Sequence, residues 1–206
     1  MVACGRGIKR LHPDAKVVFI GPCIAKKGEA KEADLRDAVD AVLTFQELAQ
    51  IFEATEIDLA ELREVSSEHS ATGGRLYARS GGVTQSISDT LDSIRPNKPI
   101  KIKAIMAEGV KDCKVMLSAI LNGDISANFY EGMGCVGGCV GGPKALIEKE
   151  DGKWRVEAYA QEAEALTGAE NPYVLELLHE LGIESVEELL EGESAKIFKR
   201  DFSRNP

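Results

Sequence analysis

Three cysteines stand where thiols can do chemistry. Cys23 lies in Gly21-Pro22-Cys23-Ile24-Ala25-Lys26-Lys27-Gly28-Glu29, and Cys135 and Cys139 lie in Glu131-Gly132-Met133-Gly134-Cys135-Val136-Gly137-Gly138-Cys139-Val140-Gly141-Gly142-Pro143. Two cysteines four apart in a glycine-filled loop can turn both sulfurs to one side. The glycines also let backbone N–H groups approach and point at those sulfurs, as iron–sulfur clusters require. Lys26, three residues after Cys23, brings a positive donor that would stabilise anionic ligands at the same centre. By spacing alone, the Cys135/Cys139 pair also suits a zinc site, or a tight turn with two incidental thiols. The glycine cluster is not a phosphate loop, because Pro143 follows Gly142 where that pattern needs Lys. Cys4 and Cys113 lack such surroundings and read as small buried hydrophobes. His12, His69 and His179 sit in unrelated contexts and read as surface or packing residues.

The elements that must position these residues are legible as an alternation of strands and helices. Lys16 to Ile20 is a β-branched apolar run leading into Gly21-Pro22, a buried strand feeding a loop. A second apolar run spans Ala38 to Leu43. Thr44 and Glu47 then form a capping-box pattern, with Leu48, Ile51 and Phe52 at helical spacing. The Ser- and Gly-rich stretch from Val65 to Gly82 reads as a loop, followed by a helix from about Val83 to Ile94. Lys101 to Met106 alternates like a strand, Val110 to Leu121 has helical spacing, and Asn128-Phe129-Tyr130 is a short strand entering the glycine-rich loop. This order predicts an α/β domain with a mostly parallel sheet. Such sheets bind ligands at loops after the strand C-termini, so Cys23 and the Cys135/Cys139 pair are expected at one sheet edge. Later, Asn171-Pro172 reads as a helix N-cap with Pro at the first position, Gly182 as its stop, and Ser185 as the next start. The expected organisation is an α/β domain over residues 1–150 and a helical extension over 151–206.

Composition narrows the classes. The 206 residues carry a net charge of -9, with 44% hydrophobic and 29% charged residues, which is ordinary for a globular chain and unsuited to non-specific nucleic-acid binding. No apolar run reaches the length of a membrane span, and no signal-peptide core follows Met1. Met1 to Gly5 run at once into Arg6-Gly7-Ile8-Lys9-Arg10, which reads like the interior of a domain. Five cysteines, an odd number, disfavour a disulfide framework and favour the cytoplasm.

The two cysteine segments, in this order and separation, resemble the second and third signature segments of the iron-only ([FeFe]) hydrogenase large subunit. The residues between them are also similar to that family: Asp40 to Ala49, Ser80-Gly81-Gly82-Val83-Thr84-Gln85, and Ala107-Glu108-Gly109-Val110 followed by a helix and Asn122-Gly123. The resemblance covers about residues 1–147.

The resemblance implies the family's H-cluster: a [4Fe–4S] cubane joined through one cysteine sulfur to a two-iron unit bearing CO, cyanide and a dithiolate amine. Cys23, Cys135 and Cys139 would be cubane ligands, with Cys139 the bridge. Lys26 would hydrogen-bond a cyanide, Met133 would pack on the cluster, and Tyr77 and Ala78 would match a Phe-Gly pair lining the two-iron pocket. This sequence departs from the family at Gly21, where catalytic members carry Met, and at Ala78 and Pro143, where they carry Gly. The family's Thr-Ser-Cys segment does not occur in it. That segment supplies the fourth cubane ligand and the proton-relay cysteine. The implied function is interconversion of H2 with protons and electrons, with a ferredoxin-like module as electron partner. The chain by itself is expected to be inactive. Two alternatives are a hydrogen- or redox-sensing relative with slow turnover, suggested by Gly21 and Pro143, and a scaffold that keeps only the cubane. Neither a nucleic acid nor a membrane is an expected partner.

Overall fold

A computed structural model describes residues 1–63, 69–97 and 99–200. The chain begins with α1 (Val2–Leu11), β1 (Val18–Gly21), α2 (Ala25–Glu29), β2 (Ala41–Thr44) and α3 (Phe45–Ala54). Strands β1 and β2 pair in parallel from Val18↔Ala41 to Gly21↔Thr44. Their core is Ala38, Val39 and Val42, with Val2, Val17 and Phe19 packed against it. The junction between β2 and α3 is the expected capping box. Glu47 N–H donates to Thr44 Oγ1 (3.2 Å), and Thr44 N–H donates back to Glu47 Oε2 (2.7 Å). Both orphan donors at the helix start are thereby satisfied.

A second group follows: α4 (Thr72–Leu76), α5 (Gly82–Ile94), β3 (Ala104–Glu108), α6 (Val110–Leu121) and β4 (Phe129–Met133). Strands β3 and β4 are parallel, from Ala104↔Phe129 to Glu108↔Met133. The parallel pairing is as expected, but the strands form two separate two-stranded sheets rather than one. Each strand pairs with its sequential neighbour across one helical crossover, and helices α4 and α5 intervene between β2 and β3. The cysteine loops therefore leave two sheets, not a common edge.

Other differences have local causes. β3 starts at Ala104 rather than Lys101, because Asn128 takes over the backbone groups before it. Its Nδ2 donates to Lys101 O (2.9 Å) and its Oδ1 accepts from Lys103 N (2.7 Å). The expected loop from Val65 contains α4, despite Gly73-Gly74. Thr72 and Gly73 N–H groups donate to Ala165 O and Leu166 O, and a Cβ on Gly73 would lie 2.5 Å from Ser86 Oγ. Gly73 serves close packing of α4 on α5. Residues 65–68 of that stretch lie outside the described residues.

The chain ends with α7 (Lys149–Gln161), α8 (Pro172–Glu180), α9 (Val186–Glu191) and a 3₁₀ turn over Ser194–Phe198. Helices α1 and α7 had no clear signal in the sequence. α7 crosses residue 150 and packs on α4 and on the loop after β4. Asn171 Oδ1 caps α8 by accepting from Tyr173 N and Val174 N. At the other end Gly182 (φ 75°) places its N–H on His179 O, and Ile183 N–H reaches Leu178 O. That is a Schellman cap, at the stop the sequence predicted.

Candidate metal centre

β1 delivers Gly21 and Pro22 to the first loop, and Cys23 stands between the strand end and α2. On α2 the Lys26 ammonium forms an ion pair with Glu29, three residues on. β4 delivers the second loop directly. Its backbone is tied internally by Gly138 N–H to Cys135 O (3.1 Å) and Gly142 N–H to Cys139 O (2.9 Å). Externally, Gly137 N–H donates to Glu108 Oε2 (3.0 Å), Gly137 O accepts from Ser80 N–H (3.0 Å), and Val140 N–H donates to Ala78 O (3.0 Å). Gly138 is required between the two thiols. Its φ is +84°, and a Cβ there would lie 2.6 Å from Ser80 N and 2.8 Å from Arg79 C.

The two loops meet backbone to backbone. Lys144 N–H donates to Pro22 O (3.2 Å), and a Cβ on Gly142 would lie 2.8 Å from the same carbonyl. Lys144 Nζ also reaches Gln46 Oε1 on α3 (3.0 Å). The thiols accordingly feel one another. Cys139 keeps an exposed flank, but protein packed behind its sulfur pushes the thiol pKa up, and Cys23 and Cys135 raise it further while Lys26 opposes them. The Cys135 thiol is likewise raised, by burial first and then by Cys23. All five cysteines are free thiols.

Among the described residues, no three His, Cys, Asp or Glu side chains gather closely enough to hold a metal ion between them. A single ion needs every sulfur within about 2.3 Å of one point, whereas a cubane takes each thiolate on a different iron. Cys23, Cys135 and Cys139 offer thiols from two glycine-rich loops, a set whose donor chemistry is that of an iron–sulfur cluster. The donor set fits three corners of a cubane and leaves a fourth to be supplied.

The remaining expected residues are placed unevenly. Ala78 lies against the second loop through its carbonyl, as described above. Met133 carries the loop's root, its carbonyl accepting from Gly109 N–H (2.8 Å) and from Cys113 Sγ (3.4 Å). Tyr77 is 46% exposed. Cys113 is occupied by that backbone bond, and Cys4 is exposed on α1. Neither is among the groups that shift Cys135 or Cys139. His69 stacks on Tyr173, and His179 pairs with Glu184 on the surface.

Gly21 is not an emptied pocket. A Cβ there would meet the Phe19 ring at 2.9 Å, because residues 19 and 21 share one face of β1 and Phe19 packs toward the core. Sequence reasoning overlooked Glu108 and Glu131, which bind the backbone around the second loop. Glu131 opens the quoted motif, and its position two residues before Met133 on a strand was the available signal. An open groove of about 610 Å³ lies beside this region, lined by Arg79, Ser80, Thr84, Met106 and Glu108, and it contains none of the thiols.

Comparison with known proteins gives a consistent result. The family profile described as "Iron only hydrogenase large subunit, C-terminal domain" matches residues 1–143. The periplasmic [Fe] hydrogenase large subunit of Nitratidesulfovibrio vulgaris is 29% identical over 171 residues, which is 66% of this chain and 41% of that protein. Iron hydrogenase 1 of Clostridium pasteurianum is 27% identical over 165 residues, 63% of this chain and 29% of that protein. The chain thus spans less than half the length of these curated relatives. Among solved structures, a variant of the [FeFe]-hydrogenase HydA1 from Chlamydomonas reinhardtii superposes with a TM-score of 0.63 at 20% identity, covering 92% of this chain and 66% of that one. The apo form of a second HydA1 variant gives 0.62 at 19% identity, with 91% and 66% coverage. These structures share the fold of this chain. Among the described residues, no helix is long and apolar enough to cross a membrane.

Proposed function

The chain belongs to the iron-only hydrogenase large-subunit family, in its C-terminal domain, and on that premise we propose that Cys23, Cys135 and Cys139 are three of the ligands of an H-cluster in a protein that interconverts H2 with protons and electrons. The observation that carries this reading is the junction of the two cysteine loops at Pro22 and Lys144, with thiols that perturb one another across it. When bound, the [4Fe–4S] cubane and its two-iron unit supply heterolytic H2 chemistry and electron storage.

This chain's residues do the holding and orienting. Thiolates are the ligands, so Cys135 and Cys139, with pKa values raised above that of a free thiol, must give up their protons as iron binds. Cys139 would hold the cubane and, as the resemblance implies, the two-iron unit as well. Lys26, now paired with Glu29, can turn one of its three N–H bonds to an anionic iron ligand and keep the carboxylate on another. Ala78 holds the side of the second loop through its carbonyl, and Met133 supports its root. The fourth ligand comes from a solvent molecule or from a thiol beyond these three, because Cys4 and Cys113 are engaged elsewhere or exposed. Electrons leave through a ferredoxin-like module, and five free thiols favour a reducing compartment such as the cytoplasm.

The test is infrared spectroscopy on the protein matured with its iron cofactor. Bands of metal-bound CO and cyanide, abolished in Cys139→Ala, are the expected result. Iron with sulfide but without those bands means a cubane-only scaffold and overturns the hydrogenase reading.

A further inference from the structure

Glu131 lies on β4, two residues before Met133, and is only 4% exposed. A carboxylate that deep is costly unless its oxygens are satisfied. Among the described residues no Lys or Arg pairs with it. Instead, Oε1 accepts from Gly81 N–H (2.7 Å), and Oε2 accepts from Thr84 N–H (2.7 Å) and Thr84 Oγ1 (2.5 Å). Gly81 is the N-cap position of α5, and its own residue has no side chain to cap the helix. Glu131 therefore caps α5 from another strand, where the helix's partial positive charge favours an anion.

The capped segment touches the metal-site loop on its other side. Residues 78–80 donate and accept the two backbone bonds that hold Gly137 and Val140, on either side of Cys139 and its neighbour Gly138. Arg79, between them, is tied by its side chain to Gln85 Oε1 (2.5 Å) and to Glu157 on α7 (3.2 Å). One strand thus supplies both the cysteine loop and the carboxylate that fixes the wall the loop leans on. Glu108, at the end of the neighbouring strand, anchors Gly137 from the opposite side.

We infer that Glu131 is a positioning residue for the cysteine pair: its buried carboxylate locks the 78–84 turn, and that turn holds Cys135 and Cys139 in place before any metal arrives. The step from turn to thiols rests on the iron–sulfur reading above, whereas the clamp itself does not. Preorganised ligands bind metal more tightly because less chain must be ordered on binding, and partners that orient ligands commonly matter for retention.

The experiment has two arms, both on the full chain. The first is amide hydrogen exchange by NMR on the metal-free protein. Glu131→Gln turns an amide N–H2 toward donors that need an acceptor, and Thr84→Val removes one donor without changing shape. Both should speed exchange at Ser80 and Val140 by about tenfold or more, leaving Asp40 N–H, bonded to Val17 O in the other sheet, unchanged. Thr84→Ser, which keeps the hydroxyl, should behave like the parent. The second arm reconstitutes the same proteins with ferrous iron and sulfide and follows iron loss to a chelator. Glu131→Gln should lose iron about tenfold faster. Unchanged exchange at Ser80 and Val140 overturns the clamp. Faster exchange throughout both sheets makes Glu131 a general stability residue and overturns it too. Local loosening with unaltered iron retention overturns the positioning role. A parent chain that takes up no iron at all sinks the iron–sulfur reading, and the exchange arm still decides the clamp.

Discussion

Gly21 shows how far a single residue can be read from sequence. Its departure from the family's Met, with Pro143, suggested a slow, sensing protein. The structure puts the Phe19 ring on the same face of β1, 2.9 Å from where a Cβ would stand, so a side chain at this position requires the ring to shift. Gly21→Met should therefore destabilise the chain by about 1–3 kcal/mol through overpacking, measured as a lower urea midpoint with an unchanged slope. A midpoint equal to or above the parent's would mean that Phe19 swings aside at no cost. The three thiols proposed as ligands stood out because glycine-rich loops at strand ends are a local pattern. Glu131 was not, because its role depends on a contact with Gly81 and Thr84, about fifty residues away.

Among the elements, those with their own start and stop chemistry were read correctly. The Thr44 capping box opens α3, Asn171-Pro172 opens α8, and Gly182 closes it. Asn171→Ala should cost about 1–2 kcal/mol, since the cap is buried and its Nδ2 also donates to His69 O (2.5 Å); chemical denaturation of the variant checks this. The capping box also predicts a pH dependence. Thr44 N–H, then Lys27 and Thr44 Oγ1, hold the Glu47 carboxyl down at about 2, against an ordinary value of 4.5. A depressed acid stabilises the fold above its ordinary pKa and loses that contribution as pH falls toward the folded value. The stability gap between parent and Glu47→Ala should therefore be full at neutral pH and shrink between 4.5 and 2. A gap independent of pH contradicts the assignment. Elements fixed by tertiary contacts were missed. α4 owes its turn to carbonyls from residues 165 and 166, and α7 owes its place to Gly152, whose bare backbone sits against Val140 (3.1 Å to an added Cβ).

At the scale of the whole molecule, sequence order predicted parallel strands and helical crossovers, and both are present. The split into two small sheets was not legible, since period and propensity say which residues form strands but not which strands pair. The split matters for function. It puts Cys23 on one sheet's loop and Cys135 and Cys139 on the other's, joined at Pro22 and Lys144. A cluster held by all three thiols would bridge the two sheets, so loading it should raise the unfolding midpoint of the parent chain and leave that of Cys23→Ala unmoved. The most direct test of the account is the iron and acid-labile sulfide content of the chain after anaerobic reconstitution, in the parent and in each single Cys→Ala variant. The account predicts about four irons and four sulfides per parent chain, loss of most of both in Cys23→Ala, Cys135→Ala and Cys139→Ala, and full retention in Cys4→Ala and Cys113→Ala. A Cys23→Ala variant that retains its iron like the parent, or a parent that binds one zinc in place of iron and sulfide, would contradict it.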